Sequence, residues 1–558
     1  MDDSQSIERA KSFFFTGLEK LNKNNFIGAE IDFESSLRFA PNRLSTLINL
    51  CIVLIKLNKF ENAEKLIYQG LKYHPKNKDL LFSLVKIYNL LIQNNPDYAE
   101  AYINLANVYK DLKMQMEAYA TYSHAIKLMP KLAEAYSNRA NLLQDMKKYQ
   151  EALIDCERAI AIRPHYAEAY LNKGNTLHSL NCLEDALDSY DRAIEINPYF
   201  ADAYSNRGLL LDDLMYYKQA ILDYDKAITL NPELADAYWN KSLNLLLTGD
   251  FTNGWNLYEW RWKVDKLELL IKLDTKIPYW SRQNTNSQSK ILFWAEQGIG
   301  DEIFYFGMLK NFTAIKSKIS VSADPRLHSL FKRSIPEIEL INSKTVDAVN
   351  IENLFDYQAP IGDIGFLCEV DKALENKTAK NFLQINQSRC SEIKNKNPFL
   401  SGKFVCGISW KSNNKDIGIT KSLNLIDLSP LLLIENVVFV SLQYGSTADE
   451  IEFVEKKNGI KIHTIGDLDI FNDIDGLVSL ISLCDLVVTT SNINAHLTGA
   501  IGKKGMVLIP FSKGKIWYWH SGVGQSLWYP SLELVSQSQM NDWTDPINKC
   551  KEWVLGQL

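Results

Sequence analysis

Prolines stand at Pro96, Pro130, Pro164, Pro198 and Pro232, each 34 residues after the last, and the chain between them keeps step. Tyr102, Tyr136, Tyr170, Tyr204 and Tyr238 share one phase of this period. Ala118, Ala152, Ala186 and Ala220 share a second, and Ala125, Ala159, Ala193 and Ala227 a third. Small residues at fixed phases let the two helices of a unit approach closely, and a proline that cannot continue a helix punctuates the end of the second. The first half of the chain is therefore a stack of like units rather than one globular core.

The stretch "AEAYSNRANLLQDMKKYQEALIDCERAIAIRP" resembles the tetratricopeptide repeat. Pro41 and Pro75 keep the 34-residue spacing, with Ala29 and Ala63 in phase, but Pro96 follows Pro75 by only 21. The helix "KDLLFSLVKIYNLLIQNN" is expected to stand there alone. The last unit runs into "TNGWNLYEWRW", whose Trp255, Tyr258, Trp260 and Trp262 are expected to cap the array against the next part of the chain.

The sixth position of the first helix is asparagine in unit after unit: Asn49, Asn104, Asn138, Asn172, Asn206 and Asn240. At 100° per residue it lies roughly 200° from the packed small residue two places later, so an exposed face is expected, shared with Asn107, Asn141 and Asn175. An amide both donates and accepts, and a row of them can grip an extended peptide whatever its side chains. The row resembles the asparagine ladder of the eukaryotic O-GlcNAc transferases. A solvated helix face is the alternative.

At 558 residues the chain is too long for one core, and roughly 100 to 200 residues per domain implies about three to five units. The 61 basic and 67 acidic residues nearly cancel, leaving a formal charge of -6 and no long basic block, which argues against nucleic acid as a partner. "MDDSQSIERAKSFFF" lacks the basic region and apolar core of a secretory signal, and no stretch of about 18 uninterrupted apolar residues occurs. A cytoplasmic protein without a transmembrane segment is expected. Eight cysteines (Cys51, Cys156, Cys182, Cys368, Cys390, Cys406, Cys484, Cys550) form no CxxC pair and have no histidine at zinc spacing, so reduced, mostly buried thiols are expected.

Beyond a linker ending in "SRQNTNSQSK" the periodicity changes. "KILFWA", "KISVSA" and "FDYQAP", then "FVCGISW", "VVFVSLQ", "DLVVTT" and "GMVLIP", read as strands alternating with helices. Alternation of this kind predicts parallel sheets in two Rossmann-like halves, which bind ligands at the carboxyl ends of their strands. In "AEQGIGDE" Gly298 and Gly300 predict a tight bend, and Asp301, where a helix begins, is either a cap or a chemical tool. "GISWKS", "TKSLNL" and "SLQYG" are polar turns at strand ends that present Trp410, Lys411, Lys421 and Gln443. Ser491 or Asn492 would cap the helix that holds His496, leaving its free amides to an anion. Lys411 and Lys421 would add positive charge for a pyrophosphate, with solvated surface lysines as the alternative. The acids Asp467, Asp469, Asp473 and Asp475 invite a metal, but a solvated loop explains them as well.

"ILFWAEQGIGDEIFYFGML", "GISWKS", "KSLNLIDLSPLL", "FVSLQYG", "SNINAHLTGAIGK" and "WYWHSGVGQSLWYPSLELVSQ" occur in an order similar to that of the bacterial tetratricopeptide-repeat glycosyltransferases. Their catalytic part is related to the ADP-heptose:lipopolysaccharide heptosyltransferases. The resemblance spans residues 290 to 540 and implies a GT-B fold, inversion at the anomeric carbon and no metal. It makes Asp301, after Gly300, the candidate base. The heptosyltransferase Asp-Thr-Gly is replaced by Ser491, Asn492 and Ile493 ahead of His496, so a heptose donor does not follow.

These readings together predict a tetratricopeptide solenoid (1–262), a linker (263–289), an acceptor-side domain (290–398) and a nucleotide-sugar-binding domain (399–558). The expected activity moves a sugar from a nucleotide-sugar substrate, with no other cofactor, to a protein hydroxyl, flagellin or another surface protein being the acceptor that the resemblance implies. Gly300, Trp410, Lys411, Lys421, Gln443, Ser491, Asn492 and His496 would line the donor site, and the six ladder asparagines would hold the acceptor. A surface-polysaccharide glycosyltransferase and a non-catalytic repeat adaptor are the competing readings.

Overall fold

The computed structural model describes residues 3–264, 272–281, 288–310, 318–344, 346, 351–367, 381–412, 418–512, 514–520 and 524–558. Parts of the expected linker and Cys368 lie outside them. The chain groups into two compact units, Met1–Leu210 and Leu211–Leu558.

Helix pairs Asp3–Asn22 with Phe26–Phe39 and Leu44–Lys56 with Phe60–Tyr73 come first. The single helix Lys78–Asn94 is next, as the shortened proline step requires, packing against the helix on either side of it. Regular pairs resume with Ala99–Asp111 and Gln115–Leu128, and continue through Ala235–Thr248 and Phe251–Tyr258. The in-phase alanines Ala118, Ala125, Ala152, Ala159, Ala186 and Ala193 are all fully buried, because any larger side chain would push the helices apart. At Gly174 even a methyl is excluded: a Cβ there would stand 2.6 Å from the Tyr190 ring. Within each pair the chain turns through one left-handed residue, Lys113, Lys147, Asn181 and Met215 at φ of 62°, 59°, 64° and 62°. These recur at the same 34-residue interval without being glycine.

The second unit holds two sheets. The first has four parallel strands, β1 (Lys290–Trp294), β2 (Lys318–Ala323), β3 (Glu339–Asn342) and β4 (Tyr357–Pro360), in the order β3-β2-β1-β4. Residues of the expected linker extend it, since Trp280 N–H donates to Gln358 O at 2.8 Å and the Trp280 ring is fully buried.

The second sheet comprises β5 (Phe404–Ser409), β6 (Val437–Ser441), β7 (Ile462–His463), β8 (Leu486–Thr490), β9 (Gly505–Ile509), β10 (Gly524–Gln525) and β11 (Leu532–Ser536). Their order is β10-β11-β9-β8-β5-β6-β7, and all neighbours are parallel except the hairpin β10-β11. Central strands such as β8 are buried at every position, the signature of a parallel sheet covered on both faces. The strands not expected from sequence, β3, β7, β10 and β11, are short, lie toward the edges or alternate in burial, and so lack a continuous apolar run.

One apolar cluster runs from Ile291 and Phe293 through Phe304 and Phe306 to Val487, Leu497 and Trp519, joining the two sheets, and takes in Trp255 and Tyr258 from the end of the repeats. Trp255 meets Trp517 edge to face at 5.3 Å between ring centres, and Trp262 meets Trp294 at 5.7 Å. Six cysteines are buried free thiols and Cys182 is exposed. No helix among the described residues is long and apolar enough to cross a membrane.

The asparagine row is not on an open face. Asn49, Asn104, Asn138, Asn206 and Asn240 are half-buried and Asn172 is buried. Asn138 donates to Asn107 Oδ1 at 3.3 Å and Asn206 to Asn175 Oδ1 at 2.9 Å, so position six of one repeat bonds position nine of the repeat before. Asn172 donates to the carbonyl and hydroxyl of Ser137 at 3.2 and 3.0 Å. Tyr190 O–H adds a bond to Asn175 Oδ1 at 2.8 Å. A helical wheel counts one helix, whereas stacking brings the next repeat's first helix alongside. Asn172→Ala is accordingly expected to destabilise the folded chain by about 1 to 3 kcal/mol. Asn49, which donates to Ser45 O in its own helix, should cost clearly less when truncated. Urea midpoints of the two variants compare them, and equal losses would remove the inter-repeat role.

Candidate functional site

"AEQGIGD" leaves β1 at its carboxyl end and enters the helix Ile299–Lys310. Neither Gly298 nor Gly300 has a positive φ, so no left-handed bend is made. Glycine is needed at 300 for approach instead: a Cβ there would lie 3.2 Å from His496 Cδ2 and 3.4 Å from Nε2. Asp301 is half-buried in the first helical turn and accepts from Tyr518 O–H at 3.3 Å and from the Gly298 backbone N–H. It is thus half of a helix cap and also a carboxylate held between the two sheets. Burial raises its pKa above the usual range, against the opposing pull of Lys421 and these donors.

Lys421 is only 5% exposed, and burial lowers its pKa while Asp301 pulls it back up. A carboxylate and an ammonium thus share a site of low polarity. His496, 3% exposed on the helix Ile493–Ala500, has Nδ1 3.1 Å from Tyr529 O–H. Burial first and Lys421 second push its pKa down to about 3, so the ring is neutral at physiological pH.

The polar turns behind β5, β6 and β8 are tied into one network. Gln443 Oε1 accepts from the backbone N–H groups of Trp410 and Lys411 at 2.8 and 2.7 Å and from Ser409 O–H at 3.0 Å. Asn492 caps its helix through Asn494 N–H at 2.9 Å and donates to Ser409 Oγ at 2.8 Å and Lys411 O at 3.1 Å. Gln443 and Asn492 therefore shape the turns. Ser491 Oγ and Asn494 Oδ1 are buried without a partner.

Two expected donor residues face elsewhere. The Trp410 ring is fully buried in a second core with Ile408, Leu425 and Leu508, its indole N–H on Glu450 at 3.1 Å. Lys411 is ion-paired with the same Glu450, so its charge is matched locally. The acids of the 467–475 loop are engaged as well: Asp467 pairs with Lys396, Asp473 with Arg389 and Asp475 with Arg333, while Asp469 caps Phe471 and Asn472.

Several site residues lay outside the expectation. Tyr518 and Tyr529 stand in the aromatic run "WYWHSGVGQSLWY", which offered a sign without a partner. Arg261 is fully buried and bonds Glu296 at 3.0 Å and Asp363 at 2.7 Å. Tyr279 O–H completes the set on Asp363 at 2.6 Å. Glu296 belongs to the same "AEQGIGD" loop as Asp301, so this triad fixes the loop from behind.

Tetratricopeptide-repeat profiles match residues 99–132, 133–166, 167–200 and 201–234. Those residues are tetratricopeptide repeats. Such repeats are protein-interaction modules, and they point to a protein or peptide partner. Protein FlbA of Caulobacter vibrioides is 29% identical over 314 residues, 54% of this chain and 51% of that protein. The chain spans about half the length of this curated relative. Among solved structures, YrrB, described as a repeat protein with an unusual peptide-binding site, is 22% identical, with 32% of this chain and 93% of that one covered and a TM-score of 0.25. A tetratricopeptide repeat protein from Parabacteroides merdae is 15% identical, covering 47% and 95%, with a TM-score of 0.31.

Proposed function

We propose that the chain is a nucleotide-sugar-dependent glycosyltransferase whose repeats bind a protein acceptor. The observation that carries this is the loop of Gly300 and Asp301 from the first sheet, close against His496 of the second and within electrostatic range of Lys421. An acceptor hydroxyl would attack the anomeric carbon and lose its proton to Asp301 while the bond to the nucleotide's phosphate breaks. Lys421 and the positive end of the His496 helix dipole would receive the leaving diphosphate's charge. The resemblance of the strand-end motifs to the repeat glycosyltransferases supports the reading, including inversion and a surface protein such as flagellin as acceptor. A second reading, in which the repeats serve only assembly, draws on Asn138, Asn172 and Asn206 being engaged between repeats.

A panel of nucleotide sugars and nucleoside diphosphates, screened by thermal shift on the full chain, tests the proposal. The matching nucleotide should raise the melting temperature. Lys421→Ala should then weaken it by roughly 10- to 150-fold in calorimetry, the worth of a charge-assisted hydrogen bond. Full affinity in that variant would move the phosphate site elsewhere.

A further inference from the structure

Resting on that reading, we propose that Gln537, Ser512 and Ser491 form a nucleoside subsite that selects a carbonyl-bearing base. β8, β9 and β11 are parallel neighbours, with Thr490 level with Leu508 and Ser536 with Ile509. Ser491, Ser512 and Gln537 therefore lie in a row just past the carboxyl ends of three adjacent strands, on the edge that also starts the His496 helix. Neighbouring strands stand about 4.8 Å apart, so the row is roughly 10 Å long, the scale of a nucleoside.

Gln537 is 6% exposed. The backbone N–H of Phe511 donates to its Oε1 at 3.0 Å, and this fixes which end of the amide is which. Its Nε2 is buried without a partner, as are the hydroxyls of Ser491 and Ser512. Buried polar groups are nearly always paired, so three orphans on one strand edge call for a ligand. All three are neutral, whereas a phosphate is better met by Lys421 and the amides of the His496 helix. The Gln537 amide nitrogen only donates, so it must meet an acceptor. Uracil, cytosine and guanine each present a carbonyl oxygen. Adenine has no carbonyl oxygen and offers only ring nitrogens to such a donor.

The test is calorimetry of the full chain with UDP, CDP, GDP and ADP. Wild type should bind at least one of the first three more tightly than ADP. Gln537→Glu keeps an oxygen for Phe511 N–H but removes the free donor, and should weaken that nucleotide roughly tenfold or more. Ser491→Ala removes a hydroxyl that no other part of the fold uses, and should weaken the same nucleotide with an unchanged melting temperature. Unchanged affinity in both variants, or a preference for ADP, would overturn the subsite while leaving the glycosyltransferase reading intact. Failure of wild type to bind any of the four nucleotides would overturn both.

Discussion

Asp301→Asn is expected to lower sugar transfer roughly 100- to 10,000-fold while the protein stays folded and keeps its nucleotide affinity. Asparagine preserves size and can still accept from Tyr518 O–H and the Gly298 N–H, so the structural half of the residue's role survives. It cannot take a proton. Loss of the cap alone would cost about 1 kcal/mol of stability and little rate, which separates the two roles. The pH profile adds a second check. Burial raises the Asp301 pKa, and a base works deprotonated, so activity should fall on the acid side at a pH above the usual carboxylate range. Burial lowers the Lys421 pKa, and the proposed mechanism uses its charge, so activity should also fall on the alkaline side earlier than for an ordinary lysine. The Asn variant should lose the acid limb. Wild-type transfer by that variant would leave Asp301 as a cap only.

Arg261→Met is expected to destabilise the second unit by about 3 to 5 kcal/mol, the cost of leaving buried carboxylates without their cation. Glu296 and Asp363 converge on one guanidinium whose side chain is fully buried, and that guanidinium also lies 4.5 Å over both the Tyr258 and Trp262 rings. Without it the two acids would face each other, and at least one would have to protonate or reach water. Arg261→Lys keeps a charge but not the fork, so it should recover only part of the loss. Denaturant unfolding of the two variants measures this, and a midpoint equal to wild type in Arg261→Met would show that the triad contributes nothing net. Because Glu296 precedes Asp301 in the same loop, transfer activity should fall in the Lys variant even where it remains folded.

What the sequence alone determined is what depends on near neighbours along the chain. The 34-residue phases set helix, turn and helix because small residues and prolines act within one unit. Continuous apolar runs marked the central strands, and the helix cap was narrowed to Ser491 or Asn492, because a cap's partner is only two or three residues away. The tertiary structure decided whatever joins distant residues. Asn138 and Asn206 of the ladder became inter-repeat bonds because the preceding repeat stands beside them, their partners 31 residues back. Trp410, a polar-turn residue by spacing, went into the core because a strand sends successive side chains to opposite faces and Ser409 took the other one. Arg261 in "EWRW" meets Asp363, 102 residues later, only in the packed chain. Asp301 reads as a cap or a tool from its neighbours in sequence, and only the fold brings Tyr518, 217 residues away, to its carboxylate and Lys421 within electrostatic range of it. Hydrogen bonds and charge interactions act over a few ångströms in space, so only the packed chain sets which of those residues meet.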